Sequence, residues 1–215
     1  MNNSLPARTL EVENLNVNIH TAHSIIQAVN NVSFRLQEGK TLAIVGESGS
    51  GKSILCKSIL RLLPKAAVVP KNSRILFYGY DDLSNLSQKE FNKICGCKIA
   101  MILQNPMSSL NPVMKVGKQI AEPLLHHMGL NRKQAREKVI ALMNSVGIPM
   151  PEQRFDQYPH QLSGGICQRV AIAIALSCDP KLLIADEPTT ALDVTVQKEI
   201  FDLLALRQSQ KKMSM

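Results

Sequence analysis

Three short stretches of the chain carry residue types that could do chemistry on a phosphate. The first, Gly46-Glu47-Ser48-Gly49-Ser50-Gly51-Lys52-Ser53, has the spacing G-x-x-x-x-G-K-S/T. Glycines there let the backbone wrap a phosphate chain with its N–H groups pointing inward, and a helix opening at Lys52 adds its positive N-terminal end. Lys52 would reach the β- and γ-phosphates, and the Ser53 hydroxyl would ligate Mg2+. The second, Leu182-Leu183-Ile184-Ala185-Asp186-Glu187, is an apolar run ending in two carboxylates. At the carboxyl end of a parallel strand, Asp186 can face a phosphate-bound Mg2+ through a water, and Glu187 can orient or deprotonate an attacking water. Alone, such a pair is an ordinary polar loop start; a phosphate loop in the same chain turns the reading toward catalysis. The third, Leu162-Ser163-Gly164-Gly165, sets a hydroxyl and backbone N–H groups at a helix start, suited to an anion. A lone S-G-G is merely a helix cap; here it offers contact to a γ-phosphate from the far side.

These residues need elements to hold them. Thr9 to Ile19 and Ala28 to Leu36 alternate apolar and polar at strand period, and TLAIV, directly before Gly46, is a continuous apolar run of the kind buried on both faces of a parallel sheet. From Lys52 to Leu63 apolar residues recur at helical spacing until Pro64. ILFYG and KIAMIL read as further strands. After Gln104 two Asn-Pro dipeptides mark turns, and to about Val170 the apolar residues keep a helical period. KLLIAD restores a buried strand, and Val194 to Leu206 reads as a last helix. The order predicts an α/β core carrying a helical lobe.

Composition narrows the class. Hydrophobic residues make up 45% and charged residues 20% of 215, an ordinary globular balance. The longest apolar run, Val170 to Leu176, is far short of the roughly 20 residues that cross a bilayer. The N-terminus has acidic residues where a secretory signal is apolar, so no cleaved leader is expected. Five cysteines, an odd number, suit a reducing cytoplasm, and Cys95-Gly96-Cys97 lacks the second pair that a zinc site needs. The net charge of +8 is spread along the chain, which favours a basic surface over a nucleic-acid site, with mild attraction to anionic lipid.

Taken together, GESGSGKS, MILQNPMSSLNP, YPHQLSGGICQR and LLIADEPTTALD, in this order and spacing, resemble the nucleotide-binding subunit of an ATP-binding cassette (ABC) transporter. Within that family they look most like the dipeptide, oligopeptide and nickel importers of bacteria. The resemblance covers essentially the whole chain. It implies an α/β P-loop NTPase fold, with a mostly parallel sheet, an antiparallel N-terminal β part and a helical sub-lobe. Residues 1–104 and 171–215 would form the RecA-like core and 105–170 the helical subdomain. It implies ATP and Mg2+ as cofactors, held by Gly46, Glu47, Ser48, Gly49, Ser50, Gly51, Lys52 and Ser53, with Ser53, Gln104 and Asp186 around the metal. Glu187 and Gln104 would be catalytic. Ser163, Gly164 and Gly165 would close over ATP on a second cassette subunit, and Asp193 would line the dimer seam. Transmembrane permease subunits, and indirectly an extracytoplasmic substrate-binding protein, would be partners, with no nucleic acid. The subunit would sit at the cytoplasmic face of the inner membrane.

Two departures from the family pattern stand out. The early strand carries Ile19 where relatives place an aromatic ring to stack on adenine. The histidine that contacts the γ-phosphate in the family, and the strand bearing it, would fall beyond Met215, and none of His20, His23, His126, His127 or His160 matches by position. The closing RQSQKKMSM reads as a polar tail in place of that strand, so the expectation is a C-terminally truncated core holding ATP-site parts without independent turnover. Two other readings stay open: a nucleotide-binding or non-functional fragment, and a cassette ATPase of DNA repair or translation. The latter usually brings coiled-coil or zinc insertions, or two cassettes, and neither is visible.

Overall fold

The computed structural model describes residues 8–105, 109–189 and 194–215. They divide into two compact units, one holding the chain up to Asn92 together with Ser214–Met215, the other Lys93–Met213.

The first unit is an antiparallel sheet with a helix against it. Strand β1 (Arg8–His20) pairs with β2 (Ile25–Gln37) on one side and with β4 (Arg74–Phe77) on the other; β5 (Tyr80–Asp82) extends from β4, and the short β3 (Ala67–Val68) pairs with the end of β1. Leu15 and Val17 alternate inward as the sequence pattern predicts. The alternation slips at Asn14 and Asn31, both with left-handed backbone, where side-chain bonds from Ser33 and Asn16 replace ladder bonds. Buried Glu11 is matched by Arg8 and Arg35, whose bonds outweigh the burial that would raise it and hold its carboxyl below the usual range.

Helix α1 (Lys52–Ile59) turns Leu55 and Ile59 into this core. It stops before the predicted Leu63 because Arg61 adopts a left-handed backbone, laying its guanidinium 4.4 Å from the Phe91 ring of α2 (Gln88–Asn92) and bonding the Leu86 carbonyl at 2.9 Å. Leu62 is left exposed.

Two expectations fail in this unit. TLAIV does not form a strand: residues 41–47 are irregular, Leu42 and Ile44 are exposed, and Val45 is 89% exposed. A parallel strand is buried only when neighbours pair with it on both edges at about 4.8 Å. Here the described residues show a short backbone ladder to the chain's last residue: Met215 N–H donates to Lys40 O at 3.0 Å, and Leu42 N–H to Met215 O at 2.8 Å. That contact overturns the second expectation, of a merely polar tail. Ser214 is fully buried; its hydroxyl shares a 2.7 Å bond with Thr9 Oγ1 and accepts from Gly39 N at 3.0 Å.

The second unit is helical around one parallel pair, β6 (Ile99–Ile102) and β7 (Leu182–Ala185), in register Ile99 to Leu182 and Ile102 to Ala185. Helix α3 (Val116–Met128) buries Val116, Ile120 and Leu124, and α4 (Arg132–Ser145) buries Ala135, Val139 and Met143, each set four residues apart on one face. A capping box starts α4: Asn131 Oδ1 accepts from Gln134 N at 3.0 Å and Gln134 Oε1 from Asn131 N at 3.1 Å. After the short α5 (Pro151–Arg154) comes α6 (Gly164–Leu176), apolar nearly all round and correspondingly buried, and then β7 and α7 (Val194–Lys211). Among the described residues no helix is long and apolar enough to cross a membrane.

Candidate functional site

The phosphate loop lies in the first unit, between the irregular 41–45 segment and α1. Gly51 ends it with φ of 92°, and a Cβ there would lie 2.2 Å from the Ala28 carbonyl oxygen of β2. Glycine is therefore what allows α1 to start against the sheet backbone. The Lys52 ammonium bends back over the loop, donating to Gly46 O at 2.8 Å and Glu47 O at 2.7 Å, while Ser50 N–H closes a turn onto Glu47 O at 3.2 Å. Gly46 to Ser50 are exposed; Gly51, Lys52 and Ser53 are half-buried. The first turn of α1 has no acidic residue and its N-cap supplies no side-chain bond, so the helix end stays electropositive and open to an anion.

The carboxylates lie in the second unit. Asp186, only 5% exposed, is fixed at the end of β7 by its N–H bond to Ile102 O at 3.0 Å. The next residue turns sharply: Glu187 takes φ of 48° and emerges to solvent, where its Oε2 accepts from Gln104 Nε2 at 2.8 Å. Residues 83 positions apart meet because β6 and β7 run parallel and in register, so that Gln104, just past β6, and Glu187, just past β7, leave the sheet at the same end. Two neighbouring acids are thus given different environments, one enclosed and one wet.

Ser163 caps α6 without a side-chain bond to it; its carbonyl accepts from Cys167 N at 2.9 Å. Ser163 and Gly164 are exposed and Gly165 is half-buried, no acid occupies the first turn, and nothing lies within 4 Å of a Cβ built on Gly164. Asp193 lies outside the described residues.

Two residues near the carboxylates carry no signal strong enough to single them out in the sequence. Gln168, buried in α6, donates to Pro188 O, and Gln197 of α7 donates to Thr189 O at 3.1 Å, so amides from two helices hold the backbone just after Glu187. The one hint for Gln168 is an amide inside an otherwise apolar helix. His126 and His127 meet edge to face at 4.7 Å; burial, then the neighbouring His126, push His127 below the usual imidazole range. Among the described residues no group of three His, Cys, Asp or Glu is arranged to hold a metal ion. By donor type alone, the Ser53 hydroxyl of the first unit and the Gln104 amide and Asp186 carboxylate of the second offer hard oxygens of the kind Mg2+ takes.

Comparison with known proteins shows the family and the fold. A family model described as ABC transporter matches residues 29–190. The oligopeptide transport ATP-binding protein OppD of Bacillus subtilis (strain 168) is 51% identical over 205 residues, 95% of this chain and 56% of that protein. The dipeptide transport ATP-binding protein DppD of Lactococcus lactis is 52% identical over 199 residues, 92% of this chain and 56% of that protein. The chain therefore spans little more than half the length of these curated relatives. Among solved structures, a dimeric ATP-binding cassette in a post-hydrolysis state, bound to ADP and Pi, superposes with a TM-score of 0.83 at 28% identity, covering 95% of this chain and 85% of that one.

Proposed function

The chain belongs to the ABC transporter family, and from that premise we propose that it is the ATP-binding, ATP-hydrolysing subunit that energises a bacterial importer. Of the cargoes that the sequence motifs allow, di- and oligopeptides are favoured over nickel, because the similar proteins are named for peptides.

The observation that carries this reading is the Gln104–Glu187 contact beside buried Asp186. Gly46 to Ser53 wrap the phosphates, and Lys52 exchanges its loop carbonyls for β- and γ-oxygens. Ser53, Gln104 and Asp186 would hold Mg2+, which would neutralise charge on the phosphates. Gln104 and Glu187 position a water; as its oxygen bonds to the γ-phosphorus, Glu187 takes a proton and the bond to ADP breaks, releasing ADP and phosphate. Ser163 and the N–H groups of Gly164 and Gly165 contact ATP held by a second cassette subunit, and Asp193 lines that seam. The subunit works at the cytoplasmic face of the inner membrane with permease subunits. Support for such docking comes from a groove of about 700 Å³ between α3 and α4, lined by Met114, Lys118, Leu125, Arg136 and Phe155.

A second reading, nucleotide binding without turnover, is favoured by the irregular, exposed 41–45 segment leading into the phosphate loop. Calorimetry and phosphate release together test both. Mg-ATP binding that Lys52→Ala abolishes and Glu187→Gln keeps supports the site; no binding by the folded chain overturns it. Phosphate release that Glu187→Gln removes supports turnover, and binding without release supports the second reading.

A further inference from the structure

The turn that carries Glu187 out of β7 is held from outside itself. Glu187 takes φ of 48°, a left-handed backbone that such a residue keeps only where its surroundings over-determine it. The residue after it, Pro188, has no N–H, so its carbonyl is the group by which the backbone can be fastened there. Gln168 of α6, only 2% exposed, donates its side-chain amide to that carbonyl, and Gln197 of α7 donates to the next one, Thr189 O, at 3.1 Å. The helices supplying the two amides are themselves joined near their starts: a Cβ built on Gly165 would lie 3.9 Å from Val196 Cγ1, and Arg169 bridges to Glu199. On the other side of the turn, the Glu187 carboxylate accepts from Gln104 at 2.8 Å.

We propose that Gln168 and Gln197 are positioning residues for Glu187, clamping two successive carbonyls so that the carboxylate leaves the turn in the direction that meets Gln104. Anchors on two adjacent carbonyls fix the orientation of the backbone between them, whereas a single anchor would leave it free to rotate. A turn set this way does not depend on local preference, which for a residue with a Cβ runs against a positive φ. Gln168 also belongs to the helix that Ser163 opens, so the segment expected to face a second cassette and the carboxylate share one support. The inference rests on the reading of Glu187 as the group that takes a proton from water. It adds no atom to the chemistry: both amides act through the backbone and not on the reacting atoms.

The test uses nuclear magnetic resonance on the full chain with isotope-labelled glutamine. The Gln104 side-chain amide resonance, identified by its loss in Gln104→Ala, reads the contact with Glu187 directly, and Glu187→Ala marks its position once the contact is gone. Gln168→Met and Gln197→Met keep the side-chain length but remove the donor, and each should move the resonance toward that unbonded position. Each should also lower kcat for phosphate release on the order of 10–100-fold while the Mg-ATP affinity measured by calorimetry is kept. Gln134→Met, which breaks the capping box of α4 and so destabilises the same unit, should do neither. A resonance unmoved in both variants overturns the proposal, as does one moved equally by Gln134→Met, or a kcat that stays unchanged where the resonance moves. A parent that releases no phosphate removes the turnover reading instead, and the resonance alone then decides the clamp. Where Gln168→Met fails to fold, Gln197→Met, changed at a half-buried side chain, supplies the same comparison.

Discussion

Replacing Gly51 by alanine separates two reasons for a glycine that coincide at this position. One is conformational: φ of 92° costs an L-residue about 1–2 kcal/mol. The other is contact: the new Cβ would meet the Ala28 carbonyl oxygen at 2.2 Å, and since that atom belongs to the backbone of β2 it cannot swing aside. Overpacking of this kind adds about 1–3 kcal/mol, so Gly51→Ala should cost about 2–5 kcal/mol in all. Gly49→Ala is the control, with φ of 80° but no atom within 4 Å of its Cβ, and should cost the conformational part alone. Gly164→Ala has neither positive φ nor a neighbour and should stay within about 0.5 kcal/mol of the parent. Urea unfolding followed by far-ultraviolet circular dichroism measures all three, the chain having no tryptophan to report by fluorescence. Calorimetry with Mg-ATP then shows whether Gly51→Ala, at a urea-free temperature where it stays folded, also loses nucleotide. If Gly51→Ala proves no more destabilising than Gly49→Ala, the close approach of α1 to β2 is wrong and the account of the loop falls with it.

The acid sensitivity of the first unit should depend on Glu11. Its folded pKa is depressed, so its stabilisation is complete above the unfolded value near 4.5 and drains away as pH falls through the lower folded value; Glu11→Gln should therefore be less stable than the parent at neutral pH, with the gap closing in urea melts at pH 4 and then 3. Ile19→Tyr adds a ring where Ile19 stands across from Ile26 and Ala67, and should tighten ATP binding by about 1–3 kcal/mol; calorimetry showing equal affinity would remove the aromatic-stacking argument. Gln168→Leu keeps the volume but leaves the Pro188 carbonyl without its amide, so thermal unfolding should report a loss of about 1–3 kcal/mol, whereas an unchanged melt would mean that water replaces the amide.

What can be read from the sequence and what cannot divide along a physical line. Local signals are legible: the four-residue spacing of Val116, Ile120 and Leu124, the S-G-G helix start, and the glycine spacing of the loop each depend on neighbours within a turn or two. LLIA is also legible, because its partner IAMI is present to pair with it. TLAIV has the same apolar texture as LLIA yet lies exposed, since texture records what a segment can bury and not whether a strand stands beside it. The converse holds at the other end, where Ser214 has no texture at all and is fully buried, because Thr9, Gly39 and Gln37 offer donors and acceptors that no pattern in RQSQKKMSM announces. Gln104 and Glu187 fall between these cases. Each is legible as a candidate, but their meeting at 2.8 Å follows from the parallel register of β6 and β7, a long-range property that fixes the geometry of any water held between an amide and a carboxylate. The Gln104–Glu187 contact therefore depends on that two-strand register as much as on the two side chains: Met101→Pro, which removes an N–H from β6 and disturbs the register, should impair Gln104 positioning even though it changes neither residue, and under the proposed function phosphate release should fall with it.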